Sequence, residues 1–317
     1  MKLSSKIILF ALVTFFVSCK GTKEITQTNT VTEKTDSYAL ENALLWEISG
    51  NGLKESSYLY GTIHMIDKES FYWPAGTLAA FDASKDVVFE VDLDDMFDLG
   101  AQMGLITKAF MKDNQKLSDF YEEEDWKLVK THFDGMGIPM FFLEKLKPMF
   151  LTVFASGDVE MGGGFGDDSE IKSYEMELYS LAEDSNKDVD GLETIEYQMS
   201  VFDSIPYQDQ ADMLLETIKS TDVGDDSFKE MVDMYKKQDI NRMISAMSEE
   251  EAGIEGYEDV LLYQRNKNWI PVMSQKMATA KTFFAVGAGH LGGKDGVIDL
   301  LKKEGYRLKP LSQSNGL

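Results

Sequence analysis

Residues 58–65 read YLYGTIHM, and residues 282–290, near the other end of the 317-residue chain, read TFFAVGAGH. Each stretch is a short β-prone run followed by Gly-x-x-His, from Gly61 to His64 and from Gly287 to His290. Such runs predict strands. Because glycine allows the backbone to turn sharply, we expect each glycine to turn the chain and direct the histidine into a crevice at the strand end. The pattern includes two of the three histidines in the chain.

Strand-like runs of this kind lie towards both ends of the chain. They occupy residues 45–49, 57–60, 86–92, 187–191, 282–286 and 306–308. Residues 96–155, 171–183 and 195–281 have mostly helical patterns, with breaks expected at Pro206 and Pro271 among other positions. This order predicts an α/β (α+β) fold, in which a central mixed sheet is built from the N- and C-terminal parts of the chain. A large helical insertion is expected at about residues 96–180.

A carboxylate interrupts one of the predicted strands. In DVVFEVD, at residues 86–92, Glu90 breaks an aliphatic run and Asp92 follows two residues later. Side chains two apart on a strand share a face, so both carboxylates are expected on one face near the strand end. A carboxylate between Phe89 and Val91 is costly to bury unless it is paired, hydrogen-bonded or bound to a metal. Glu193 likewise follows a strand-like run.

These strand ends are expected to bring side chains that can bind a metal or transfer protons into one crevice. His64, Glu90 and His290 form a donor set that suits a divalent metal ion with an open position for water. The metal would lower the pKa of that water and polarise a carbonyl group. Without a metal, one histidine could act as a general base on water while Glu90 orients it. The third histidine, His132, lies in a charged helical stretch and is expected on the surface.

The N-terminal residues predict a targeting segment. Lys2 and Lys6 precede the apolar run IILFALVTFFV, and Ser18 precedes Cys19, the only cysteine. This pattern predicts a signal peptide at residues 1–19 whose lipobox-like Cys19 becomes lipidated; the alternative is an ordinary cleaved signal peptide. Residues 20–40 are polar and predict a disordered tether. We therefore expect a lipoprotein of the cell envelope, in the periplasm or at the outer membrane, anchored to the membrane at Cys19.

Composition limits the partners of the chain. The formal net charge is −24, so nucleic-acid binding is not expected, because phosphate backbones would be repelled. The glycine-rich stretch at residues 157–168 has no Lys or Arg and several carboxylates, which argues against a phosphate cradle and favours a mobile loop or lid.

Five stretches together resemble the TraB/GumN family in order and spacing, across about residues 44–308. They are YLYGTIHM, VVFEVD, DGLETIEYQ at 190–198, QRNKNW at 264–269 and FFAVGAGHLGGKDGVIDLLKKEGY at 283–306. That family is related to the Tiki proteases, which resemble it in having two Gly-x-x-His motifs and are regarded as metal-dependent. It is also distantly similar to erythromycin-esterase-like and ChaN-like proteins. The resemblance implies a TraB/GumN-like domain at residues 41–312.

The resemblance also implies roles for single residues. His64 and His290 would be the motif histidines and Glu90 the paired carboxylate, and these three would bind the metal. Glu193, Arg265 and Asn266 would line the site. The Arg265 guanidinium could hold Glu90 or Glu193, or it could stabilise a developing oxyanion. Where the family often has Asp this chain has Glu175, and its greater length weakens any role assigned to that position.

Three functions follow as hypotheses. The first is a cell-envelope hydrolase, a metal-dependent peptidase that acts on a peptide or small-molecule substrate oriented by Arg265 or Asn266. The second is a lipoprotein that binds a metal, a haem or a peptide without turnover, as the similarity to ChaN-like proteins suggests. The third is an ester or amide hydrolase that needs no metal.

Overall fold

The computed structural model describes residues 39–96, 108–135, 139–155, 171–223, 226–247 and 256–311. Eight strands lie in these ranges: β1 (Leu45–Gly50), β2 (Ser57–Thr62), β3 (Ile66–Asp67), β4 (Asp86–Val91), β5 (Ile171–Lys172), β6 (Asp188–Glu193), β7 (Thr282–Gly287) and β8 (Tyr306–Pro310). The predicted signal peptide, Cys19, nearly all of the tether and the loop at 157–168 lie outside the described residues, so lipid anchoring stays a prediction.

Six of the strands form one mixed sheet in the spatial order β6-β4-β7-β2-β1-β8, and β3 pairs with β5 in a separate two-stranded sheet. β1 and β2 pair antiparallel and form an N-terminal hairpin. β7, from the C-terminal part, pairs in parallel with β2 and with β4. The sheet is therefore built from both ends of the chain, and the predicted fold class is confirmed.

The direction of the strands places four strand ends at one edge. β6, β4, β7 and β2 run parallel to one another, whereas β1 and β8 are antiparallel additions. In open α/β sheets, ligands bind in the crevice outside the carboxyl ends of parallel strands. The fold thus offers one such edge, at which β2, β4, β6 and β7 all end.

Eleven helices accompany the strands in the described ranges. They are α1 (Thr77–Ala83), α2 (Glu123–Gly135), α3 (Met140–Leu143), α4 (Pro148–Ala155), α5 (Tyr174–Asp184), α6 (Ile195–Val201), α7 (Tyr207–Val223), α8 (Asp226–Lys236), α9 (Ile240–Met247), α10 (Gln264–Thr279) and α11 (Val297–Lys303). A π-helix at Asp259–Tyr263 precedes α10, and a 3₁₀ turn at Ala288–His290 follows β7. Within these ranges no helix combines the length and apolar character that crossing a bilayer requires.

Two apolar cores hold the described residues together. The first lies on both sides of the sheet, where Val87, Val88, Phe283 and Phe284 are fully buried. Near-continuous apolar runs such as these are typical of parallel strands covered on both faces. The second core joins α2, α3 and α4 to α7. The helices between residues 123 and 155, within the predicted insertion, therefore have a core of their own, which α7 completes from outside the predicted boundaries of 96–180. α5 belongs instead to the first core, through Tyr174 and Leu178.

Three local expectations differ from the structure. α10 continues through Pro271, because Trp269 and Met273 on either side are fully buried and their packing outweighs the lost backbone hydrogen bond. The helix expected from residue 171 begins at Tyr174, since Ser173 caps it by accepting a hydrogen bond from the Met176 amide. His132 is half-buried, with its ring centroid 5.3 Å from that of Phe133.

Candidate functional site

The carboxyl edge of the parallel strands carries the predicted site residues. His64 follows the end of β2 by two residues, Glu90 lies one residue before the end of β4, Glu193 ends β6, and His290 follows β7 by three residues. Arg265 and Asn266 lie in the first turn of α10. Contacts join Glu90, Glu193, Arg265, Asn266 and His290 into one network, whereas His64 contacts a different carboxylate.

Arg265 is the centre of this network. Its Nη2 donates to Glu90 Oε2 at 2.6 Å and lies 2.7 Å from Glu193 Oε1, to which its Nε also donates at 2.8 Å. Its Nη1 donates to the Leu261 carbonyl at 3.1 Å and lies 3.3 Å from His290 Nε2. Since every nitrogen of the guanidinium already faces an acceptor, holding the carboxylates is the role that the geometry favours over binding an oxyanion.

The two glutamates differ in their charge environment. Burial alone would raise the pKa of Glu90, but His290, Arg265 and His64, together with the Gly287 amide 2.8 Å from Oε1, lower that pKa to about 2. For Glu193 burial prevails, and its pKa is raised despite hydrogen bonds from Arg265 and from Trp269 Nε1 at 2.9 Å. Glu90 is therefore a firmly ionised carboxylate, while Glu193 binds a proton more readily.

His290 is held as a neutral ring. Asn266 Nδ2 donates to the Asp295 carbonyl at 2.9 Å, which leaves Asn266 Oδ1 to accept from His290 Nδ1 at 2.7 Å. Burial lowers the pKa of His290 to about 3. The proton of the neutral ring thus lies on Nδ1, and Nε2 presents its lone pair towards Arg265 and towards Glu90 Oε1, 3.7 Å away. The Trp269 ring, with its centroid 4.5 Å from that of His290, covers the imidazole.

His64 pairs with Glu175, the residue whose role the sequence left weakest. His64 Nδ1 lies 2.9 Å from Glu175 Oε1, which also accepts from Thr62 Oγ1 at 2.6 Å, while Ser173 Oγ donates to Oε2 at 3.0 Å. The side chain of His64 is 70% exposed and that of Glu175 is 16% exposed. Glu175 raises the pKa of His64. The longer carboxylate does not weaken this position, because it reaches the imidazole directly.

The glycines of the two motifs do not make the sharp turns that the sequence predicted. Gly61 lies inside β2, and neither Gly61 nor Gly287 has a positive φ. A Cβ at Gly61 would lie 2.6 Å from Leu291 Cδ1 and 3.2 Å from Ala288. A Cβ at Gly287 would lie 3.2 Å from Glu90 Oε1. Both glycines therefore allow close approach: Gly61 admits the chain around His290, and Gly287 admits the Glu90 carboxylate.

Replacing Gly61 by alanine is expected to lower the free energy of unfolding by about 1–3 kcal/mol, because Leu291 is fully buried and has little room to move. Urea unfolding of the variant measures this loss. Gly135→Ala is the matched control, since no atom lies within 4 Å of its added Cβ and alanine suits a helix. Equal stability of the two variants would contradict the close-approach explanation.

The donor chemistry of the site fits a divalent metal ion. Each motif histidine has Nδ1 hydrogen-bonded to an oxygen, of Glu175 for His64 and of Asn266 for His290, so that Nε2 is the nitrogen that would bind a ligand. In His290 this atom faces Arg265 Nη1 at 3.3 Å, and a ligand would have to replace that contact. This is the usual arrangement around histidines that bind metals. As placed, no three His, Cys, Asp or Glu among the described residues are gathered closely enough to hold an ion.

Comparison with known proteins shows which family the chain matches. A sequence profile described as the TraB/PrgY/gumN family matches residues 44–310. Similar curated proteins include Metalloprotease TIKI1 and Metalloprotease TIKI2 of Danio rerio, 23% and 22% identical, and Metalloprotease TIKI1 of Xenopus tropicalis, 22% identical. Each alignment covers 84% of this chain, and they cover 63%, 61% and 61% of the respective relatives, so the chain spans less than two thirds of their length. No solved structure matches the chain significantly.

Proposed function

The chain belongs to the TraB/PrgY/gumN family, and from that premise we propose that it is a metal-dependent peptidase whose site lies at the carboxyl edge of the parallel strands. The observation that carries the proposal is shared by the two motif histidines: each has Nδ1 bonded to an oxygen, so that Nε2 is the nitrogen that would bind a metal ion. The names of the TIKI relatives as metalloproteases agree with it.

Three residues would hold the ion in this proposal: His64, His290 and Glu90. A divalent ion bound there would polarise a peptide carbonyl and lower the pKa of a bound water. Glu90 suits this task because its carboxylate is ionised and fixed by the Gly287 amide and by Arg265.

The surrounding residues position these groups. Asn266 and Glu175 orient the imidazoles through their Nδ1 atoms. Arg265 compensates the buried charge of Glu90 and, through Glu193, ties β4 and β6 to α10. The exposed ring of His64 marks the side open to substrate, whereas Trp269 and the buried His290 form the wall that excludes water.

One contact favours a second candidate, a hydrolase that needs no metal. Arg265 Nη1 lies 3.3 Å from His290 Nε2, so a fixed cation already stands beside both His290 and Glu90. In that case His64 would be the general base that takes a proton from water, and Glu90 would orient that water. His290 is a poor base at neutral pH, because burial and Arg265 lower its pKa to about 3.

Removing metal separates these candidates. The purified chain is expected to cleave members of a quenched fluorescent peptide library, to lose that activity after treatment with a chelator, and to regain it when Zn²⁺, Mn²⁺ or Co²⁺ is returned, because the ion supplies the activated water. Fluorescence measures the rate, and elemental analysis measures bound metal. A chain that keeps its activity in chelator would be the metal-free hydrolase. Bound metal without cleavage of any peptide would favour a binding protein.

A further inference from the structure

A cavity of about 450 Å³ lies along α5 and is not part of the histidine site. Its lining along α5 includes the N-cap residue Ser173 and, within the helix, Met176, Glu177, Ser180, Glu183 and Asp184. These residues recur every three or four positions, so they share one side of the helix. We call this cavity the α5 groove.

One end of the α5 groove adjoins the proposed site. Ser173, which lines the groove, donates through Oγ to Glu175 Oε2, and the other oxygen of Glu175 contacts His64 Nδ1. Two hydrogen bonds therefore separate the wall of the groove from the exposed histidine. A peptide whose scissile bond lies at His64 would have its flanking residues close to this end.

The chemistry of the groove changes along its length. Near Ser173, Lys172 is neutralised by Glu177 at 2.6 Å, and its Nζ lies 5.1 Å from the centroid of the Phe71 ring. The middle has half-buried apolar surface from Met176 and Ile171. At the far end, exposed Glu183 and Asp184 form no ion pair with any described residue. The groove thus runs from an entrance that carries Lys68 and the Lys172–Glu177 pair, over an apolar floor, to a negative end.

The placement of this acidic pair is unfavourable for the helix itself. Glu183 and Asp184 lie in the last turn of α5, which has no basic residue. The C-terminal end of a helix carries partial negative charge and favours cations, so carboxylates there oppose the helix dipole. Residues that are unfavourable for local structure, as these carboxylates are for the helix, are expected where function requires them. The helix end and the two carboxylates together form a field that attracts a positive group at the end of an apolar channel.

We propose that the α5 groove is a specificity subsite that takes a Lys or Arg side chain of a peptide substrate. The aliphatic stem lies on Met176 and Ile171, and the cationic head meets Glu183 and Asp184; long cationic side chains combine these two properties. From Ser173 to Asp184 the helix rises about 16 Å, which equals about five residues of extended peptide. The basic residue therefore lies within about five positions of the bond that is cut. This inference rests on the proposed peptidase function.

The test measures peptide binding in the presence of a chelator, so that the peptides are not cleaved during the measurement. Fluorescein-labelled alanine octapeptides that carry one Lys, Arg, Gln or Glu at the same position serve as probes, with fluorescence anisotropy as the readout. We expect the Lys and Arg peptides to bind about fivefold more tightly than the Gln peptide, since each exposed ion pair contributes little. The double variant Glu183→Gln/Asp184→Asn is expected to lose this preference.

Glu123→Gln/Glu124→Gln is the matched control, because it removes two adjacent exposed carboxylates from α2 and changes net charge equally. It is expected to keep the preference. Equal binding of the Lys and Gln peptides, or loss of the preference in both double variants, would overturn the groove proposal. A chain that cleaves peptides without this preference refutes the groove alone, whereas a chain that shows the preference but never cleaves refutes the peptidase alone.

Discussion

Replacing His64 by alanine is expected to lower the rate of peptide hydrolysis by roughly 10²–10⁴-fold, the range found for groups that act directly on the reacting atoms. The free energy of unfolding should stay within about 1 kcal/mol of the wild-type value, because the side chain is 70% exposed and its main contact is the hydrogen bond to Glu175. Cleavage of the quenched peptide library and urea unfolding of the same preparation measure the two quantities together.

His290→Ala and His132→Ala complete this comparison. His290→Ala should lose activity as well, and it should also lose about 1–3 kcal/mol of stability, because Asn266 Oδ1 is left buried without its donor. His132→Ala, in the helical insertion, should keep full activity. Wild-type activity in the His64 variant would remove that residue from the mechanism and leave its pairing with Glu175 without a catalytic role.

Replacing Arg265 by methionine is expected to cost about 3–5 kcal/mol of stability at pH 7, because it leaves the buried carboxylates of Glu90 and Glu193 without their shared cation. Arg242→Met is the control, since Arg242 and its partner Glu230 are both more than half exposed, and this change should cost about 1 kcal/mol or less. Urea unfolding gives both values. Should the Arg265 variant not fold, Arg265→Lys keeps the charge and should show an intermediate loss.

The loss in the Arg265 variant should shrink as the pH falls. In the wild-type chain the pKa of Glu90 is about 2, below its ordinary value of 4.5, so the charge of Glu90 contributes fully to stability above about pH 4.5 and this contribution is lost as the pH falls towards 2. Without Arg265, burial raises the pKa of both carboxyl groups, and they take up protons in the folded chain at higher pH. The difference between variant and wild type should therefore be smaller at pH 5 than at pH 7. A loss at pH 7 no greater than that of Arg242→Met would contradict a supporting role for Arg265.

Local sequence was enough to predict which strand ends carry the candidate residues. Aromatic and β-branched runs identify strands within a few residues, and a polar side chain at the end of such a run, like Glu90 or His64, is informative without any knowledge of distant partners. Because β2, β4, β6 and β7 are parallel, these strand ends reach the same edge.

Contacts between distant segments explain what could not be predicted. His64 and Glu175 are 111 residues apart, and β3 and β5 are two residues each, too short for a periodic pattern. The sequence places Arg265 in a helix, but only the folded chain shows that all its donors are occupied. Local rules also marked Pro271 as a break, whereas buried neighbours on both sides keep α10 continuous.

The central position of β7 has a consequence for the order in which the crevice forms during synthesis. β4 and β2 are not neighbours in the sheet; β7, which begins at residue 282, lies between them. During synthesis the segments that bear His64 and Glu90 emerge well before the strand that sets their spacing and the turn that bears His290. A chain that lacks β7, whether it is still being synthesised or has been clipped before residue 282, thus has no assembled crevice, and the activity that we propose for this site would be absent from it.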